Sequence, residues 1–189
     1  MTNKSLLAAA VVLVTVTGCS TDAPRITSQY RSSYDYYNFT KYHYNRDTLV
    51  EIHGNTLGLD AASFARAVTA AMNRPSTAVQ SNFTTTPGPS AEKNFRVVLA
   101  FNSSPEGLGM CQAKSFTPTG QGGITRLRAA WCWSDRDDSD VTAYVTPITS
   151  IDDPRFRAMI AQATAELFPR RDENRDNNRS RGLRLSVQP

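Results

Sequence analysis

The stretch Asn94–Phe101, NFRVVLAF, limits what this chain can fold into more than any other. Read as a strand, it sets Phe95, Val97, Leu99 and Phe101 on one face and Val98 and Ala100 on the other. A strand that is apolar on both faces has to be covered on both, so it belongs inside a sheet and not at its edge. The rest of the chain must supply that cover.

Two amphipathic helices are available to do so. Phe64, Ala67, Val68, Ala71 and Met72 recur at i, i+3, i+4, i+7 and i+8, one apolar helical stripe. Asp60 is placed to cap that helix and Asn73-Arg74-Pro75 to stop it. Phe156, Met159, Ile160, Ala163 and Leu167 form a second stripe, with Asp153 as cap, Pro154 at the first helical position and Phe168-Pro169 at the end. Thr48–His53 alternates weakly and breaks at Gly54-Asn55. Ile124–Trp133 and Val141–Ile148 read as further strands, and residues 77–84 as another candidate. Residues 102–109 and 117–123 are predicted loops around a short segment, Met110–Ala113. Ser134–Asp140, SDRDDSD, is a predicted acidic loop. The order is β-α-β-β-β-α. Its one crossover makes strand 48–53 the parallel neighbour of strand 94–101, and the later strands are close enough for antiparallel hairpins. The predicted class is α+β: a two-layer sandwich over residues 48–169, with a mixed, mostly antiparallel sheet and two helices on one face. That span is long enough for a single core.

The longest apolar run lies elsewhere, at Leu6–Val16. As a helix its 11 residues reach about 16 Å, roughly half of a bilayer core of about 30 Å. It reads as the h-region of an export signal, with Lys4 as its positive flank, and not as a membrane span. The run leads into Val16-Thr17-Gly18-Cys19. This box resembles the lipobox of bacterial lipoproteins, in which the Cys thiol is diacylated and the leader is cut away before it. The resemblance implies a leader over 1–18, a lipidated Cys19 and a membrane partner reached through fatty chains. Ser20 in the next position implies the outer membrane and its periplasmic face. The alternative is an ordinary secretory signal that leaves Cys19 to form a disulfide. The segments EIHGN, FRVVLAFN and AWCWSD also resemble proteobacterial envelope proteins, which brings no activity with it.

With Cys19 acylated, Cys111 and Cys132 remain of the three cysteines. An even pair in an oxidising compartment predicts one disulfide, since a redox pair would more usually be C-x-x-C. Of the net charge of +4, +3 lies in the C-terminal tail and Lys4 supplies the rest. Residues 170–189 hold six Arg and three acids, whereas 19–169 is neutral. The tail is too polar to pack and is predicted to be disordered, a candidate for meeting acidic polymers or anionic headgroups. Without a basic, aromatic-interleaved face, nucleic acid is not an expected partner.

Residues 19–47 contain six of the seven tyrosines. They are predicted as a spacer of about 30 Å root-mean-square span, or in part as an edge strand. Their tyrosines suit stacking on glycan or resting at a lipid interface. His43, among them, reads as a solvated linker residue.

Chemistry-bearing candidates are few. Glu51 and His53 share a strand face, and His53 could act as a general base in a periplasmic hydrolase, yet no G-x-S-x-G elbow supplies a nucleophile. Trp131 and Trp133 alternate on one strand, either as core or as a platform for a sugar ring. Asp135, Asp137, Asp138 and Asp140 lack the Gly and Glu of an EF-hand loop. No zinc set, phosphate loop or dinucleotide fingerprint occurs, so no metal or cofactor is expected. The reading that remains is a non-enzymatic envelope lipoprotein whose domain meets an envelope protein or peptidoglycan.

Overall fold

The computed structural model describes residues 22–31, 34–74, 80–120 and 123–170. The expected leader, Cys19 and the tail beyond Arg170 lie outside them. The strands are β1 (Arg25–Arg31), β2 (Asp47–His53), β3 (Asn82–Thr84), β4 (Phe95–Phe101), β5 (Ser103–Pro105), β6 (Phe116–Pro118), β7 (Thr125–Trp133) and β8 (Arg136–Val145). The helices are α1 (Tyr36–His43), α2 (Ala61–Met72) and α3 (Pro154–Leu167). Six strands form one sheet in the order β1-β8-β7-β4-β2-β3, and β5-β6 form a separate ribbon. The fold is α+β with a mixed sheet. β4 lies inside it, parallel to β2 and antiparallel to β7.

The two sheet faces are covered differently. Val97, Leu99, Phe101, Leu127, Ala129 and Trp131 join one large core with buried residues of all three helices, among them Phe39, Val68 and Met159. On the opposite face Val98, Ala100, Ala130 and Cys132 form a smaller cluster with Met110 and Cys111 from the segment between β5 and β6. The Cys111–Cys132 disulfide, with Cα atoms 5.6 Å apart, pins that segment to the sheet. Arg96 adds a polar clasp: its guanidinium donates to the Cys111 carbonyl at 2.7 Å and to Glu51 at 3.1 Å. Reducing the disulfide is expected to speed amide exchange across residues 103–118 and leave α2 and α3 protected. Hydrogen exchange with and without reductant reads this, and uniform loss of protection would contradict the two-cluster division.

Local signals explain the helices. Asp60 and Asp153 cap α2 and α3 by accepting the Ser63 and Arg155 backbone N–H groups, both at 2.8 Å. Among the described residues no helix is long and apolar enough to cross a membrane.

Three segments differ from expectation. The spacer proposed for 19–47 is, over its described residues, part of the fold. β1 pairs antiparallel with β8 as the edge strand that is the alternative reading of this segment, and what departs from both readings is the helix that follows. After β1, Asp35 caps α1 by accepting Tyr37 N–H at 2.8 Å, and Tyr34, Phe39 and His43 are buried. The span 134–140 is not an acidic loop: a two-residue turn at Ser134-Asp135, with Ser134 at φ 53°, leads straight into β8. Its acids enter the fold because donors meet them. Asp137 accepts Cys111 N–H at 2.8 Å, and the buried Asp138 accepts Arg136 Nε–H at 2.6 Å. Lastly, parts of the predicted loops 102–109 and 117–123 pair as the β5-β6 ribbon.

Candidate functional site

β2 and β4 run parallel and end side by side, with His53 level with Ala100. The chain turns away from both strands at that end and leaves a cavity of about 520 Å³. Its wall includes Gly54 and Thr56 after β2, Asn102 and Ser103 after β4, and Phe116 and Thr119 from the returning ribbon. Crevices beyond the carboxyl ends of parallel strands are where open sheets hold ligands.

Backbone geometry shapes this wall. Gly54 adopts φ +76°, and a Cβ there would stand 2.1 Å from the Phe101 carbonyl oxygen, so only glycine lets the two strand ends approach. Asn102 has φ 41°. Its backbone N–H donates to the Arg126 carbonyl at 2.9 Å, and its Oδ1 accepts Arg126 N–H at 2.7 Å. Those bonds fix the amide so that Nδ2 is the end left over.

The wall is polar without being satisfied. Thr56 Oγ1, Asn102 Nδ2 and Ser103 Oγ are buried and have no hydrogen-bond partner among the described residues. Arg126 Nε is a fourth such atom, and Arg126 Nη2 donates to Ser104 Oγ at 3.1 Å and Thr119 Oγ1 at 3.0 Å. Buried polar groups are normally paired, and each unpaired one costs about 1–3 kcal/mol. Three on residues that line one cavity, with Arg126 behind them, mark a place built for something polar. Asn102 Nδ2 and Arg126 Nε can only donate, so an acceptor-rich molecule suits them. Among the described residues no carboxylate, histidine or thiol lines the cavity.

The candidates read from the sequence fall elsewhere. His53 stacks on Phe116, ring centroids 3.9 Å apart, and no Ser, Asp or Glu hydrogen-bonds its ring among the described residues. Glu51, its neighbour on the strand face, is paired with Arg96. Burial lowers the His53 pKa, the Glu51 charge partly opposing it. A neutral imidazole without a nucleophile beside it gives a His53 hydrolase no geometric basis.

Trp131 and Trp133 do not form a platform. A bulge falls between Trp131 and Cys132. Trp131 is 1% exposed and belongs to the core. Trp133 is 46% exposed, stacks on Phe95 at 5.8 Å, and carries the Arg136 guanidinium 4.6 Å above its ring. Cys111, Cys132 and Asp137 bring potential ligand atoms within 4.8 Å of one another. The two sulfurs are joined in a disulfide and offer no thiolate.

The solvated reading of His43 is also overturned, because the ring is buried. Trp131 Nε1–H donates to its Nε2 at 3.2 Å, which leaves the ring proton on Nδ1 to meet Thr48 Oγ1 at 2.7 Å. Both nitrogens are thereby satisfied, and the ring presents neither to a substrate.

Sequence reasoning does not single out Thr56, Asn102, Ser103 or Arg126 as site residues. The signal that points to them is the expected parallel pair itself, whose carboxyl ends carry Gly54-Asn55 and Asn102-Ser103.

No protein-family model matches this sequence, and no curated relative matches it. Among solved structures, a PelC dodecamer from Paraburkholderia phytofirmans is similar with a TM-score of 0.43 and 12% identity, over 77% of this chain and 98% of that one.

Proposed function

We propose that this chain is an exported lipoprotein, anchored in the cell envelope through acylated Cys19, whose domain holds a small polar ligand and performs no chemistry on it. The observation that carries the binding reading is the cavity wall, with Thr56 Oγ1, Asn102 Nδ2 and Ser103 Oγ buried and unpartnered around one space. The Val16-Thr17-Gly18-Cys19 box after an 11-residue apolar run supports the anchor. The Cys111–Cys132 disulfide agrees with an oxidising compartment.

Two readouts test this. Cells fed a clickable palmitate analogue should label the native chain and not Cys19→Ser, which should leave the membrane fraction. For the cavity, amide-detected NMR with millimolar polyols, carboxylates and phosphomonoesters should shift the resonances of Thr56, Asn102 and Ser103 with at least one class. Asn102→Ala should weaken that response by about tenfold, the size of a lost hydrogen bond of about 1.4 kcal/mol. Unmoved resonances across the whole set would remove the binding reading. An unlabelled chain would remove the anchor.

A further inference from the structure

We propose that the end of the sheet carrying the cavity lies against the membrane, so that this end is a lipid-facing surface. The inference rests on the acylated Cys19 proposed above and follows from strand register and chain length. Pairing places the amino end of β1 level with the carboxyl end of β8, Arg25 opposite Tyr144. Val145 of β8 is opposite Thr125 at the start of β7, and Leu127 is opposite Phe101 at the end of β4. His53, at the end of β2, is beside Ala100. Arg25, Val145, Thr125, Phe101 and His53 therefore share one end of the sheet. The cavity lies at that end, beyond Phe101 and His53.

The tether enters there and is short. Six steps separate Cys19 from Arg25, and a stretched chain covers at most about 20 Å in them. Along β8, from Tyr144 opposite Arg25 to Arg136 opposite Trp133, the sheet runs eight steps, about 26 Å at about 3.3 Å per step. The anchor cannot run down the sheet and hold the opposite end against the bilayer. The usable length is shorter still, because Arg155, which hydrogen-bonds Asp153, also feels the charge of Asp22. With Asp22 near the start of α3, three steps and about 10 Å remain.

Both ends expose apolar side chains, so the tether and not the surface selects the end that meets the bilayer. Ile124 is 43% exposed just before β7, and Leu57 and Leu59 are half-buried in the loop after β2. The opposite end holds the exposed Tyr37, Tyr44 and Trp133. It is also where α3 finishes: Ser139 Oγ donates to the Leu167 carbonyl at 3.0 Å, and Glu166 pairs with Arg31 at 3.2 Å. The end of α3 therefore lies away from the membrane.

The test uses the full-length lipidated chain in native envelopes, with a photo-crosslinking amino acid in place of Ile124, or in place of Trp133 at the opposite end. Thr149, exposed in the loop after β8, is a second cavity-end position should the Ile124 variant fail to fold. Phospholipid adducts, read by mass spectrometry, should be at least fivefold more abundant at Ile124 or Thr149 than at Trp133. Equal or reversed yields overturn the orientation. A twenty-residue Gly/Ser spacer inserted between Ser20 and Thr21 should bring the ratio close to one. A ratio that survives the spacer removes the tether as its cause and overturns the argument. Palmitate labelling of the same samples separates these outcomes from loss of the anchor.

Discussion

Trp131→Ala should cost this fold about 4 kcal/mol, within the range of about 3–5 kcal/mol for truncating a buried tryptophan. Trp131 is the hub of the aromatic core. Its ring stacks on Phe95 at 5.4 Å and meets Tyr34 and Phe39 edge-on, each at 5.7 Å. Phe168, just past α3, approaches at 6.0 Å. These contacts bring the strap before α1, α1 itself, β4 and the end of α3 onto one indole. Its deletion leaves a cavity lined by rings too large to collapse inwards, and strands His43 Nε2 without its donor. Urea unfolding followed by far-UV circular dichroism measures the loss. Trp131→Phe retains most of the packing and removes the N–H, so it should cost only about 1–2 kcal/mol. Trp133→Ala is the contrast. That ring is half exposed, and its loss should cost about 1 kcal/mol, mainly the Phe95 stack and the Arg136 cation–π contact. Equal losses at 131 and 133 would mean that the two indoles do share one environment, as a platform requires.

The same residues show what the sequence made readable. Strict alternation in β7 predicts one face for both indoles, and both do stack on Phe95. Alternation carries no information on depth. Trp131 lies under α1, and Trp133 sits at the hairpin tip, beyond the reach of the described helices. α2 and α3 were legible because a stripe, a cap and a stop coincide in each. β4 was legible because few folds can accommodate a strand apolar on both faces.

The segment before β2 was hard to read for the opposite reason. β1 is an edge strand with mostly exposed side chains, so it needs no apolar alternation. α1 buries only Phe39 and His43 at full depth, a stripe too narrow to stand out among polar neighbours. Its one local signature is a staple-like pattern around the Asp35 cap, with Tyr34 before it and Phe39 at the fourth helical position, both buried. The acids of β8 misled because charge usually marks solvent. Asp137 is instead met by backbone N–H groups that arrive from the disulfide-pinned segment, 26 residues away in sequence at Cys111. The candidate site divides along the same line. The parallel β2-β4 pair was expected, and with it the position of Gly54 and Asn102. The return of Phe116–Thr119 to close the cavity, and Arg126 behind it, are long-range pairings that no local pattern encodes.

Acid should weaken the fold in a pH window set by His43. Burial is the main cause that holds its pKa down to about 4, from 6.5, and the Arg46 charge adds to it. Protonation would place an N–H on Nε2, pointing at the indole N–H that already donates there, so the folded state resists it. Above pH 6.5 the ring is neutral in both folded and unfolded chains, and stability from this source is complete. Between pH 6.5 and 4 the unfolded chain takes up a proton and the folded chain does not, so stability falls as pH falls. The slope is about 1.4 kcal/mol per pH unit and the total roughly 3 kcal/mol. His53, whose pKa is also lowered by burial, acts in the same direction. Asp140 opposes them, since burial raises its pKa and favours the folded state as pH falls through its range. Urea midpoints between about pH 7 and pH 5 isolate the histidines, because most carboxylates remain ionised there. The native protein should lose about 2 kcal/mol over that interval. His43→Phe is expected to be less stable at neutral pH, with Thr48 and Trp131 losing a partner, yet to lose most of the slope across the same interval, only the His53 contribution remaining. A variant that kept the full slope would place the titrating group elsewhere and remove His43 as the acid-sensitive element of the core.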